Sequence, residues 1–227
     1  MRRARAVLQL AQRDLGVPAA ACDAAIQRDC RVLSAARDAR AQLETLDFLA
    51  GGNHSRVHAE TFARLRRILA KKSAQATQAL NKKDSGLTQL RSRLGATRDR
   101  AAKLPWHRIR TTTLLDALKR SRRRARKVAP GSRDVDGEKR RHRWRRRLRR
   151  WADQQAMVNG LEPLIKSRKA GLGSQKKLSR QAHALGVERD LKKLAETLAQ
   201  IGHVDATQHQ RMQQLIRRAL RETSPRR

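Results

Sequence analysis

Residues 139–151 read Lys-Arg-Arg-His-Arg-Trp-Arg-Arg-Arg-Leu-Arg-Arg-Trp. At about 100° per residue, Trp144, Leu148 and Trp151 fall on one side of a helix, while His142, Arg145, Arg146 and Arg149, at i, i+3, i+4 and i+7, fall on the other. An apolar side that can enter a core, set against a charged side that cannot, predicts an amphipathic helix in a bundle. The charged side places guanidinium groups about one turn apart and meets no carboxylate until Asp153, which suits a polyanion with evenly spaced charges.

The same periodicity recurs outward from this run. Arg120, Arg123, Arg124 and Lys127 repeat the i, i+3, i+4, i+7 row, with Leu114, Leu118, Ala125 and Ala129 opposite. At the start of the chain Arg2, Arg5 and Arg13 oppose Ala4, Leu8, Ala11 and Leu15. Leu and Ala recur at helical spacing along nearly all 227 residues, and alternating β-branched runs are absent, so the fold class is all-α. Breaks are expected at Gly16-Val17-Pro18, Gly51-Gly52-Asn53, Asn81 to Gly86, Leu104-Pro105, Pro130 to Gly137, Asn159-Gly160, Ala170 to Ser174 and Gly202, leaving eight or nine helices. Asp134, Asp136 and Glu138 precede the arginine-rich helix, at its positive end.

Composition restricts the partner. Fifty-five Lys and Arg against twenty Asp and Glu give +35, a charge that repels itself unless anions collect on it. Nucleic acid, an anionic membrane surface and inorganic polyphosphate all satisfy that requirement. Only Trp106, Trp144, Trp151, Phe48 and Phe62 are aromatic, so the core is expected to be thin Leu/Ala packing without the stacking platforms that single-strand binders use. Cys22 and Cys30, eight residues apart on one expected helix, are separated by about 12 Å of rise and are expected to be reduced and buried. No stretch approaches the roughly 20 apolar residues of a membrane span, and no apolar leader follows Met1, so a cytoplasmic protein is expected.

Catalytic motifs are missing. There is no metalloprotease, Walker, nucleophile-elbow or paired-cysteine motif and no carboxylate cluster suited to Mg²⁺, so no enzyme activity, metal or cofactor is expected. His54 and His58 have metal-binding spacing but lack a third ligand. His142 lies among arginines, which favour its neutral ring.

A repeat is present. Leu33 to Arg37-Asp38, Leu94 to Arg98-Asp99 and Leu185 to Arg189-Asp190 share one pattern, and Leu43-Glu44-Thr45-Leu46 returns near Leu194 to Leu198, an offset of 152 residues for the first and third copies. Two related helical halves follow. The Arg-Asp pairs themselves read more simply as ion pairs than as ligand sites.

In order and spacing these segments resemble the conserved histidine α-helical domain (CHAD) family. His142, Arg145, Arg146, Arg149 and Arg150 match its His-led basic helix, with Trp144 at a position often Trp; Leu118 to Lys127 is similar to its second basic helix, with Ala125 where Gly is usual; Leu185-Gly186 to Asp190 resembles its Leu-Gly step. The resemblance implies one domain over residues 1–227, built as half-repeats of roughly 1–104 and 108–227 with a loop at 130–137. It implies two pseudo-symmetric helical bundles with a basic groove or pore between them that binds inorganic polyphosphate. The family pattern is shortened at both ends here, Met1 standing where a first-half histidine and its following Arg would precede. The implied contacts are Arg2, Arg3, Arg5, Arg120, Arg123, Arg124, Arg126, Lys127, His142, Arg145, Arg146, Arg149 and Arg150. The Glu-x-Glu-x-Lys motif of the hydrolase joined to some relatives is absent. The expected function is therefore non-catalytic polyphosphate binding, with association to polyphosphate granules; nonspecific nucleic-acid binding is the alternative.

Overall fold

A computed structural model describes residues 1–51, 59–129, 137–161, 175–200 and 206–223. Among these the chain is all-helical, without strands. Its helices are α1 (Arg2–Val32), α2 (Ser34–Ala50), α3 (Ala59–Lys83), α4 (Thr88–Ala102), α5 (Thr111–Lys127), α6 (Gly137–Gly160), α7 (Gln175–Ala199) and α8 (Ala206–Thr223), with 3-10 turns at Ser85–Leu87 and Trp106–Arg108. The breaks expected at Gly16–Pro18, Gly51, the end of α3, Leu104-Pro105 and Gly160 all occur. A further break, at Leu33 between α1 and α2, has no Gly or Pro to mark it. His54, His58, Asp134, Asp136 and the breaks at Gly52-Asn53, 130–136, 170–174 and Gly202 lie outside the described residues.

The chain divides into two compact units that do not follow chain order. Unit 1 comprises Met1–Cys30 and Gln89–His183, and unit 2 comprises Arg31–Thr88 and Ala184–Arg227.

Unit 1 begins with a helical hairpin. Gly16 takes φ 61° and ψ −146°, a region essentially closed to side chains, and Pro18 restrains the residue before it. The two limbs of α1 therefore fold back, and residues equidistant from Gly16 meet. Gln9 bonds Asp23, seven residues on either side; Arg5 bonds Gln27, eleven on either side; Met1 Sδ lies 3.7 Å from Cys30 Sγ. Leu8, Ala11, Leu15, Ala19, Cys22 and Ile26 face each other across this hairpin, closed by Leu104 and flanked by Trp106, whose indole N–H donates to the Ala101 carbonyl at 2.8 Å. Carboxylates tie the hairpin to its neighbours: buried Asp29 to Arg93 of α4 at 3.0 Å, and Asp14 to the backbone N–H of Arg110 at 3.2 Å. Both cysteine thiols are free; Cys22 is buried and Cys30 only half-buried, which corrects the expectation for the second.

Unit 2 packs Leu43, Leu46 and Leu49 of α2 with Phe62, Leu65 and Leu69 of α3, Leu191, Leu194 and Leu198 of α7 and Met212 and Ile216 of α8. Phe48 is 58% exposed and takes no part in this core. All three Arg-Asp repeats form adjacent ion pairs, at 3.4 Å for Arg37–Asp38, 3.0 Å for Arg98–Asp99 and 3.9 Å for Arg189–Asp190. The first and third copies also share unit 2, where Lys193 reaches Asp38 at 2.9 Å.

Candidate functional site

The two most basic helices, α5 and α6, pack together as an antiparallel pair in unit 1. On α5, Leu114, Leu118 and Ala125 of the expected stripe are buried, joined by Ala117, while Ala129 is half-buried beyond the helix end, and the last turn carries Arg124, Arg126 and Lys127 where the helix dipole favours cations. The last carbonyls of a helix lack internal partners. Here α6 supplies one for α5, Arg147 Nη1 donating to the Arg124 carbonyl at 2.8 Å, and just past the helix end Arg140 Nη2 donates to the Ala129 carbonyl at 3.0 Å. These arginines fix the register of the pair and leave their neighbours to act outward.

Beside them, α1 contributes a hydrogen-bonded cluster. Arg5 Nε donates to Asp23 Oδ1 at 2.6 Å and its Nη2 to Asp23 Oδ2 at 3.3 Å, while Gln9 Nε2 donates to Oδ2 at 2.6 Å. Arg5 Nη2 also donates to Gln27 Oε1 at 3.1 Å. Arg2 binds Asp153 of α6, its Nε 2.9 Å from Oδ2, and Gln154 Nε2 reaches the Ala6 carbonyl at 3.1 Å.

Half-buried Arg150 sits in this neighbourhood. Burial of its guanidinium is the main reason its pKa lies below the ordinary value; the positive charges of Arg5, Arg146 and Arg124 push it the same way, and the carboxylate of Asp23 opposes them. Three helices thus bring four arginines into one electrostatic neighbourhood, and Arg150 hydrogen-bonds no carboxylate among the described residues.

The expected contacts divide as follows. Arg5, Arg124, Arg146 and Arg150 come together around Arg150. Arg3, Arg123, Arg126 and Lys127 are exposed, and Arg120, His142 and Arg149 half-buried. Arg145, expected on the solvent side of its row, is only 8% exposed, so the row does not lie on one open face. The reason is tertiary. α6 buries Arg145, Leu148 and Ala152 as well as Trp151, Gln154 and Val158, a wider interior arc than an isolated amphipathic pattern assigns. Arg2 and Arg5, expected as open ligand contacts, are already engaged by Asp153 and Asp23.

Sequence reasoning missed Asp23, Gln9, Gln27 and Asp153. Reflection of the chain through Gly16 would have paired Gln9 with Asp23 and Arg5 with Gln27; nothing in the local pattern marks Asp153 as the partner of Arg2.

The charge excess lies mainly in this unit. Unit 1 holds 35 Lys and Arg against 10 Asp and Glu, and unit 2 holds 20 against 10. Asp14, Asp23, Asp29, Asp99, Asp116 and Asp153 of unit 1 are each bonded to a named basic residue or to its backbone, so these six carboxylates are already committed. No group of three or more metal-ligating side chains occurs among the described residues, and none of the described helices is long and apolar enough to cross a membrane. Compared with family models, with curated proteins and with solved structures, the chain matches none.

Proposed function

We propose that the protein binds inorganic polyphosphate, without catalysing its turnover, on the arginine cluster of unit 1. The observation that carries this reading is Arg150: a half-buried cation crowded by Arg5, Arg146 and Arg124, with Asp23 opposing them. Such a cluster is costly without an anion and favourable with one, because the ligand supplies the negative charge the fold withholds. A flexible chain bearing one charge per phosphate fits guanidinium groups drawn from three helices into one electrostatic neighbourhood. The sequence resemblance to the CHAD family supports the same ligand, and granule association is part of the proposal. Arg124, Arg146 and Arg150 carry the central contacts, with Arg5 joining them.

Nonspecific nucleic-acid binding is the second reading, favoured by the charge excess alone. Burial of Trp151 and half-burial of Trp144 and Trp106 speak against base stacking on these rings. Competition between long-chain polyphosphate and duplex DNA for the full chain, at matched charge concentration, separates the two. Polyphosphate should displace the DNA, with affinity falling as salt rises through counterion release. Equal affinity for both polymers would reject polyphosphate selectivity.

A further inference from the structure

Arg5 is both a member of the cluster and already spent. Its guanidinium presents Nε and Nη2 to the two oxygens of Asp23, and Gln9 adds an amide N–H to one of them. A fork of two guanidinium N–H groups with a third donor alongside is also what a pair of phosphate oxygens takes. Gln27 Oε1 holds the same guanidinium without bringing charge, so Arg5 stays aimed when its carboxylate leaves. Asp23 acts on Arg150 against the surrounding positive charges, its side chain is only 17% exposed, and it is delivered from a helix limb held opposite Arg5 by the Gly16 turn.

We infer that Asp23 is a resident counter-anion of the cluster, occupying at Arg5 and Gln9 the place of a ligand's anionic oxygens and displaced when polyphosphate binds. This inference rests on the polyphosphate reading and adds a residue that sets its threshold. Every ligand that reaches Arg5 must compete with a carboxylate tethered at high effective concentration. A single orthophosphate lacks the further contacts to do so. A chain held at the same time by Arg124, Arg146 and Arg150 has them.

The test measures tripolyphosphate and long-chain polyphosphate binding to the full chain as wild type, Asp23→Asn, Asp23→Asn with Arg5→Gln, and Asp99→Asn. Asp99 is an exposed acid of the same unit paired with Arg98 and distant in sequence from the cluster, so its variant removes equal charge without touching the site. Asp23→Asn should tighten tripolyphosphate binding by about tenfold, the added Arg5→Gln should abolish that gain, and Asp99→Asn should change it by less than about twofold. Equal tightening by Asp23→Asn and Asp99→Asn, or a gain that survives Arg5→Gln, overturns the inference. Because Asp23→Asn removes a buried bond and can unfold the hairpin, the wild type supplies a second readout: the Arg5 Nε–H nuclear magnetic resonance signal should shift on saturation with long-chain polyphosphate and stay in place with orthophosphate. An Arg5 signal unmoved by saturating polyphosphate also overturns it. Failure of the underlying reading looks different: the wild type would then show no preference for polyphosphate over DNA at all.

Discussion

Arg150 shows what a single position contributes to this molecule. A surface arginine is solvated and costs nothing to keep charged; Arg150 is half-buried among like charges, and its pKa falls below the ordinary value for that reason. The protonated form is the one the fold disfavours, so this residue works against stability throughout the accessible pH range until an anion arrives. Asp38 in unit 2 is the opposite case. Burial alone would raise its pKa, but the hydrogen bond and charge of Lys193, with Arg37 and Arg189, outweigh burial and hold it below 3.8. A depressed carboxylate contributes stability that is complete above its unfolded value and lost as pH falls through the lower folded value. Asp38→Asn should therefore lower the urea midpoint at neutral pH, and the difference from wild type should vanish once the pH is below the folded pKa. A difference that persists in acid would mean the side chain acts by packing rather than by charge.

At the scale of elements, the α1 hairpin rests on Gly16. Its φ and ψ lie where only glycine is at ease, so Gly16→Ala should destabilise the protein by about 1–3 kcal/mol in urea unfolding even though an added Cβ would meet only Pro18 Cδ, at 4.0 Å. An unchanged midpoint would show that the limbs are held by their contacts alone. This turn was legible because Gly-Val-Pro is local chemistry. So were the stripes of Leu8, Ala11 and Leu15 on α1 and Leu114, Leu118 and Ala125 on α5, because burial at i, i+3, i+4 and i+7 is written into the order of residues. Leu33 was not legible: the chain leaves the helix there at φ −81° and ψ −4°, an angle change any residue tolerates. The burial of Arg145 was hidden for a different reason, since periodicity names the faces of a helix but not how many neighbours cover it.

For the molecule as a whole, charge is divided unevenly between two units assembled from interleaved parts of the chain. The excess of basic residues was evident from composition, and the basic rows on α5 and α6 from spacing. Which arginines meet was not, because Arg5, Arg124, Arg146 and Arg150 are joined by tertiary packing; nor was it evident that Arg2 and Arg5 are held by carboxylates 151 and 18 residues away. The central claim is that polyphosphate is bound at one cluster rather than by net charge. It is tested most directly by isothermal titration of long-chain polyphosphate into two double variants that remove the same charge, Arg146→Gln with Arg150→Gln in unit 1 and Arg64→Gln with Arg67→Gln on the exposed side of α3 in unit 2. The first pair should lose about 2–4 kcal/mol of binding free energy, roughly one to two for each charge-assisted contact, and the second no more than about 0.5. Without ligand the first pair should melt no lower than the second, since it relieves the crowding around Arg150. Equal losses of affinity from the two pairs would contradict the account and leave bulk charge as the basis of binding.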